Sequence, residues 1–236
     1  MTVPRVALSF TGGKDCVLAL HRIKEKGYQV VVLITFAPPN TPFRAHPMDI
    51  IKKQSESIGI PHTICLIEGP NYLQDYRDKL VQLKKEYDIE GLVTGDILDV
   101  CNDFMNKACK DIITLIRPLW QEHRKHLLKD IWDREFDIMV TCINKNKLPS
   151  TLKLQQQQES NGDIDTNGVG EKLTMEWIKK RADKDKADMA GEFGEWHTMV
   201  LDCPLFINGR IKVNGYPKED GDFIFYQVES SELVPK

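Results

Sequence analysis

Residues Thr11, Gly12, Gly13, Lys14, Asp15 and Cys16 put two flexible backbone positions beside a cation, a carboxylate and two small polar side chains. They follow the apolar run Val6-Ala7-Leu8 and precede Val17-Leu18-Ala19-Leu20-His21-Arg22-Ile23, which reads as a helix. A strand, a two-glycine turn and a helix start are the parts of an anion cradle. Glycines let backbone N–H groups close on an anion, and the helix start adds free N–H donors and a positive dipole end. Lys14 would supply a full charge and Thr11 a hydroxyl donor. This is not a Walker A loop, which needs a glycine five positions before Gly13 and Ser or Thr after the lysine; Leu8 and Asp15 stand there. Nor is it GxGxxG. An ordinary turn from strand to helix would use the same glycines, but the place directly behind an apolar strand favours a nucleotide-phosphate reading.

A second set lies at Gly191-Glu192-Phe193-Gly194-Glu195-Trp196-His197-Thr198, with two carboxylates and an imidazole within six residues. In extended backbone Glu195 and His197 share a face, being two apart. Such a set can bind a magnesium-carried phosphate, orient an amine or move protons. A polar turn with surface carboxylates and a capping histidine would look the same, and the sequence leaves both readings open.

The elements around these sets alternate in the first half. Val6–Phe10 is expected as a strand and Val17–Lys26 as a helix ended by Gly27. The unbroken apolar run Val30–Phe36 marks a strand buried on both faces. Pro38, Pro39 and Pro42 force a loop to His46, then Met48–Ile58 reads as a helix stopped by Gly59. His62–Ile67 is a strand, Tyr72–Tyr87 an amphipathic helix, Gly91–Thr94 a strand broken by Gly95-Asp96, Asp99–Lys110 a helix and Thr114–Ile116 a strand. That order predicts an α/β fold with a Rossmann-like parallel sheet over residues 1–117, its ligands at the carboxyl ends of the strands. A smaller α+β C-terminal domain is expected over residues 118–236. Trp120–Trp132 and Leu173–Ala182 read as its helices, and Asp137–Ile143, Met199–Asp202, Leu205–Ile207, Ile211–Val213 and Phe223–Val228 as its strands. Residues 145–170, with four consecutive glutamines and few apolar side chains, read as a disordered insertion.

Composition narrows the classes. The chain has 236 residues, of which 41% are hydrophobic, enough for a core. A net charge of −3 argues against a mainly electrostatic grip on nucleic acid or an anionic membrane. No apolar run approaches the roughly 18 residues of a membrane span. The N-terminus enters a strand at once, without a signal-peptide pattern. Six scattered cysteines with no CxxC suit reduced, mostly buried thiols in the cytoplasm and argue against zinc.

The chain as a whole resembles a known family. TGGKDC at residues 11–16 is similar to the SGGKDS loop of the PP-loop ATP pyrophosphatases. That loop, Gly95-Asp96-Ile97, Arg117-Pro118-Leu119-Trp120, and the runs GEFGEWHT and LDCPLF within residues 191–206 occur in the order of the diphthine–ammonia ligase family. Those PP-loop enzymes amidate the diphthine side chain of translation elongation factor 2, the last step of diphthamide formation. Thr11 and Cys16 stand where that family has serines, and Asp96 where many members have alanine. GEFGEWHT departs from the family's EGGEYET.

The resemblance implies ATP and Mg²⁺ at Thr11, Gly12, Gly13, Lys14, Asp15 and Cys16, with the metal at Asp15. The base is implied against Thr35 and Phe36, near His46, Gly95 and Asp96. Lys14 and Asp15 would act on the phosphates, and Glu192, Glu195 and His197 on the acceptor and the ammonia. Arg117 and Trp120 suit either a substrate contact or a structural role. No residues remain for a glutamine-hydrolysing domain, so free ammonium is the expected donor. Elongation factor 2 is the implied protein substrate, and self-association as a homodimer stays open. Two rival readings remain: another PP-loop enzyme, such as one modifying tRNA, or a nucleotide-binding module without turnover.

Overall fold

The computed structural model describes residues 3–39, 43–99, 101–148, 168–181 and 187–236. Its N-terminal half alternates strand and helix: β1 (Arg5–Ser9), α1 (Lys14–Glu25), β2 (Gln29–Ala37), α2 (Met48–Ile58), β3 (His62–Leu66), α3 (Tyr72–Tyr87), β4 (Gly91–Val93), α4 (Phe104–Cys109) and β5 (Thr114–Ile116). The five strands form one parallel sheet in the order β3-β2-β1-β4-β5, a Rossmann-like arrangement. The apolar run of β2 lies inside this sheet because both of its faces are covered, with Val32, Leu33 and Ile34 fully buried. From β1 the chain builds outward to β2 and β3, then crosses back to start β4 on the other side of β1. The carboxyl ends of β1 and β4 therefore flank the switch point, where open α/β sheets leave a crevice for ligands.

The second half adds α5 (Arg124–Asp133), β6 (Asp137–Asn144), α6 (Met175–Arg181), β7 (Trp196–Asp202), β8 (Arg210–Asp220) and β9 (Phe223–Val234). Its strands form an antiparallel sheet in the order β7-β6-β9-β8. Strand β7 is an edge, and the glycine loop covers it: Val200 N donates to Gly12 O at 3.0 Å. Gln54 Nε2, from α2, donates to both Gly12 O at 2.8 Å and Val200 O at 2.7 Å. An edge strand with unpaired backbone groups is thus closed by the element the site needs. The apolar cluster under α1 runs on without a break, from Leu18 and Leu20 to Val140, Met199 and Val200. A separate cluster fills the other face of the parallel sheet, beneath α3 and α4.

Several expectations need correction. The helix expected over Asp99–Lys110 begins only at Phe104. The Asp99 carboxylate accepts from the backbone N–H groups of Cys101 and Asp103, and Asn102 and Asp103 sit at positive φ, so the first turn unwinds into a loop. The helix expected from Trp120 begins at Arg124, because Gln121 takes φ 59° and His123 Nδ1 caps the later start by accepting from Lys125 N. Leu205–Ile207 is a turn rather than a strand, tied by Asn208 N to Ser57 O. At the ends of the expected insertion, residues 145–148 and 168–170 form turns that bury Leu148 and Val169. The glutamine run lies outside the described residues. Five of the six cysteines are buried and Cys101 is exposed. Among the described residues no helix is long and apolar enough to cross a membrane.

Candidate active site

A chamber of about 250 Å³ lies at the switch point, with three walls: the loop after β1, the loop after β4, and the 191–198 segment entering β7. Thr11, Gly13, Lys14, Asp15, Cys16, His46, Gly95, Asp96, Glu192 and His197 line it. The chain's two chemical sets, nearly two hundred residues apart in sequence, therefore meet across one cavity.

The local reasons lie in the backbone. Gly12 takes φ 74°, and a Cβ there would stand 1.9 Å from Gln54 Oε1. Gly95 presses on the start of α1, where a Cβ would stand 2.8 Å from both Asp15 C and Cys16 N. Gly13 is the N-cap of α1 and brings no side-chain cap of its own. Lys14 N donates to Thr198 Oγ1 at 3.2 Å, which seats the helix start on β7. A helix start beside a lysine, with no side chain at its N-cap, has the chemistry that suits an anion.

Charge in the chamber is closely held. Lys14 is only 4% exposed, and its Nζ donates to Asp15 Oδ2 at 2.7 Å and Ala190 O at 2.6 Å. Burial pushes the Cys16 thiol up to about 11, so it remains protonated and donates to Gly13 O at 3.2 Å. A neutral thiol there adds no charge against a phosphate. Burial, with the charge of Lys14, lowers His197 to about 4. Burial, with His197 close by, lowers His46 to about 3. The two rings meet edge to face at 5.2 Å and are both neutral at neutral pH. Glu192 moves the other way: burial, reinforced by the Asp15 carboxylate, raises it to about 7. It is the carboxyl of this chamber poised to exchange a proton near neutral pH.

Some expected residues stand elsewhere. Thr35 is fully buried, and its hydroxyl donates to Phe10 O at 2.6 Å and meets His62 Nε2 at 2.8 Å. Phe36 stacks on Tyr76 with ring centroids 4.2 Å apart. Gly12 buttresses the loop through its carbonyl rather than lining the cavity. Glu195 is 3% exposed and turned back on its own loop, where Oε1 accepts from Asp188 N at 2.8 Å and Oε2 from Phe193 N at 2.9 Å. Sequence reasoning gave no part to Ala190 and Gln54, and held Thr198 in the second set without its bond to the helix start; these parts are played through long-range bonds that no local pattern announces.

A second chamber, of about 280 Å³, shares Ser9, Thr94, Asp96 and Leu98 with the first. Its far side is aromatic: Tyr76, Phe104 and Trp120, with the Arg117 guanidinium 3.6 Å above the Trp120 ring. Phe36, at the end of β2, backs this wall through Tyr76. Asp96 lines both chambers; burial raises its pKa, and its carboxylate accepts from Thr94 Oγ1 at 2.7 Å. The cleft is thus a polar half joined to an aromatic half.

Two family models match the chain in succession. The family model of the diphthamide synthase N-terminal domain matches residues 4–113, and that of the diphthamide synthase C-terminal domain matches residues 123–234. The diphthine–ammonia ligase of Rattus norvegicus is 24% identical over 227 residues, covering 86% of this chain and 80% of that protein. The diphthine–ammonia ligase of Homo sapiens is 23% identical with the same coverage. Among solved structures, the U34-tRNA thiolase NcsA of Methanococcus maripaludis is similar over 56% of this chain and 58% of its own, with 18% identity and a TM-score of 0.42.

Proposed function

The chain belongs to the diphthamide synthase family, and as an ATP-dependent ligase of that family we propose that it amidates diphthine on elongation factor 2 with ammonium, releasing AMP and pyrophosphate. One observation carries this reading: at the switch point a glycine-capped helix start with a lysine lies between an aromatic chamber and a carboxyl whose pKa burial raises to about 7.

The chemistry asks for those parts. A carboxylate does not react with ammonia near neutral pH, because oxide is a hopeless leaving group. If a carboxylate oxygen attacks the α-phosphorus of ATP, the bond to the bridging oxygen breaks and pyrophosphate leaves. The resulting acyl adenylate then loses AMP, a good leaving group, when ammonia attacks its carbonyl. In this reading the triphosphate lies on the start of α1, with Gly13 and Gly95 keeping the backbone open to it, and the adenosine fills the aromatic chamber. Lys14 neutralises the charge that develops on pyrophosphate. Asp15, within hydrogen-bond distance of Lys14 on the chamber lining, would hold the Mg²⁺ that such a phosphate chain carries. Glu192, ionised above about pH 7, takes the proton as ammonia attacks. Neutral His46 and His197 keep the acceptor side free of competing positive charge. A substrate of this kind places the enzyme in the cytoplasm.

The test is elongation factor 2 from cells lacking this protein. Mass analysis of the modified peptide is expected to show the carboxylate form, diphthine, which the purified enzyme converts to the amide with ATP and ammonium. Fully amidated factor in those cells would contradict the assignment.

A further inference from the structure

Glu195 is a buried carboxylate whose two oxygens both serve its own loop, and the loop it holds presents a single large apolar side chain to water. The chain lines the chamber at Gly191 and Glu192, turns outward, and lines it again at Trp196, His197 and Thr198. At the outward tip stands Phe193, 54% exposed. One exposed aromatic is ordinary on a protein surface. What sets this one apart is its bracing.

Phe193 N donates to Glu195 Oε2 at 2.9 Å, and Phe193 O accepts from Lys147 Nζ. Gly194 N returns to Gly191 O at 3.2 Å, and both glycines adopt positive φ, 76° at Gly191 and 77° at Gly194, so the turn is tight. At its base, Asp188 N is held by Glu195 Oε1, and the Asp188 carboxylate pairs with Arg124 at 3.0 Å. The backbone of the tip is therefore held in place on the lip of the chamber, one residue from Glu192, with the Phe193 side chain exposed. A loop whose backbone is already ordered loses less freedom when its tip is covered, and an exposed aromatic on such a loop suits a binding hot spot.

We propose that this lip is the docking surface for the protein that carries the acceptor carboxylate, with Phe193 as its apolar anchor and Glu195 as the positioning residue that holds it. The inference rests on the reading of the chamber as a ligase site for a protein-borne acceptor. Phe193 adjoins Glu192 in sequence, so a side chain that reaches Glu192 past this lip would bring the flanking surface of its protein onto Phe193. Exposed Lys147 beside it offers a charged rim.

The experiment compares wild type with Phe193→Ser and Phe193→Tyr, using elongation factor 2 bearing diphthine, ATP and ammonium. Phe193→Ser is expected to raise KM for the protein about tenfold or more, with KM for ATP and melting temperature unchanged, and Phe193→Tyr is expected to restore most of the loss. Equal KM values for the protein in an active wild type and in Phe193→Ser would overturn the lip alone and leave the ligase reading intact. A wild type that neither binds nor amidates the factor would overturn both. Wild-type self-association lost in Phe193→Ser, with KM for the protein unaltered, would assign the lip to a second copy of this chain and also overturn the proposal.

Discussion

Lys14→Ala is expected to reduce ATP turnover at least about tenfold, with most of the loss in affinity for the nucleotide. Lys14 is the cation at the start of α1, nearly buried, and its Nζ is shared between Asp15 and the carbonyl of Ala190. Removing it leaves a carboxylate and a carbonyl without their donor and puts that carboxylate against incoming phosphates uncompensated. Truncating one partner of such a pair typically costs about 2–5 kcal/mol. The same bonds tie the nucleotide loop to the 187–198 segment, so some thermal stability goes too; melting curves and ATP titration on one preparation separate the two effects. Lys14→Arg is expected to recover only part of the activity, since a planar fork does not replace a compact ammonium between two acceptors. A folded Lys14→Ala variant with unchanged ATP kinetics would place the phosphates elsewhere.

Glu192→Gln is expected to lower the amidation rate by about 10²–10⁴-fold while ATP binding is kept or tightened, because a general base is removed and a negative neighbour of Asp15 is neutralised. The adenylated acceptor should accumulate. The wild-type rate, measured at constant free ammonia, should rise with pH through about 7 as Glu192 ionises, and Glu192→Gln should lose that limb. The linked effect on stability has the opposite sign. With its pKa raised in the fold, Glu192 keeps a proton that the unfolded chain releases at lower pH. Stability therefore falls as pH rises from the ordinary carboxylate range to about 7, and above that pH Glu192→Gln should melt higher than wild type. Glu195→Ala is a different lesion. It removes two hydrogen bonds from backbone N–H groups to a buried carboxylate, each worth about 1.5–3 kcal/mol, so melting temperature should fall and the protein acceptor should bind poorly, while the pH limb survives in the folded fraction. A stable Glu192→Gln enzyme with a normal amidation rate and pH profile would remove that residue from the chemistry.

The glycine loop was legible because its signal is local: a strand, Gly12-Gly13, a lysine and a helix appear within one stretch of chain. Helices α2 and α3 run between the residues their periodicity marks, since Gly59 and the Asn71 cap stop and start them locally. The hairpin of β8 and β9 was underestimated. Strand β8 is an outer strand with most residues exposed or half-buried and Pro217 within it, so its apolar alternation is diluted. The role of Glu195 was hidden for a different reason. Whether a carboxylate enters a cavity or folds back on its own loop depends on turns at Gly191 and Gly194 and on Lys147 from another segment, and no spacing rule carries that. The aromatic chamber likewise joins Tyr76 of α3, Phe104 of α4 and Trp120 of the turn after β5, brought together only by the order of strands in the sheet.

The most direct test is to follow oxygen. With diphthine-bearing elongation factor 2 whose acceptor carboxylate carries oxygen-18, one turnover with ATP and ammonium should leave labelled oxygen on AMP and none on pyrophosphate, because the carboxylate oxygen that attacks the α-phosphorus departs with AMP. Mass spectrometry of the separated nucleotides reads both the products and the label. ADP and inorganic phosphate as products, or AMP without label, would contradict an adenylated intermediate on the cradle at Lys14.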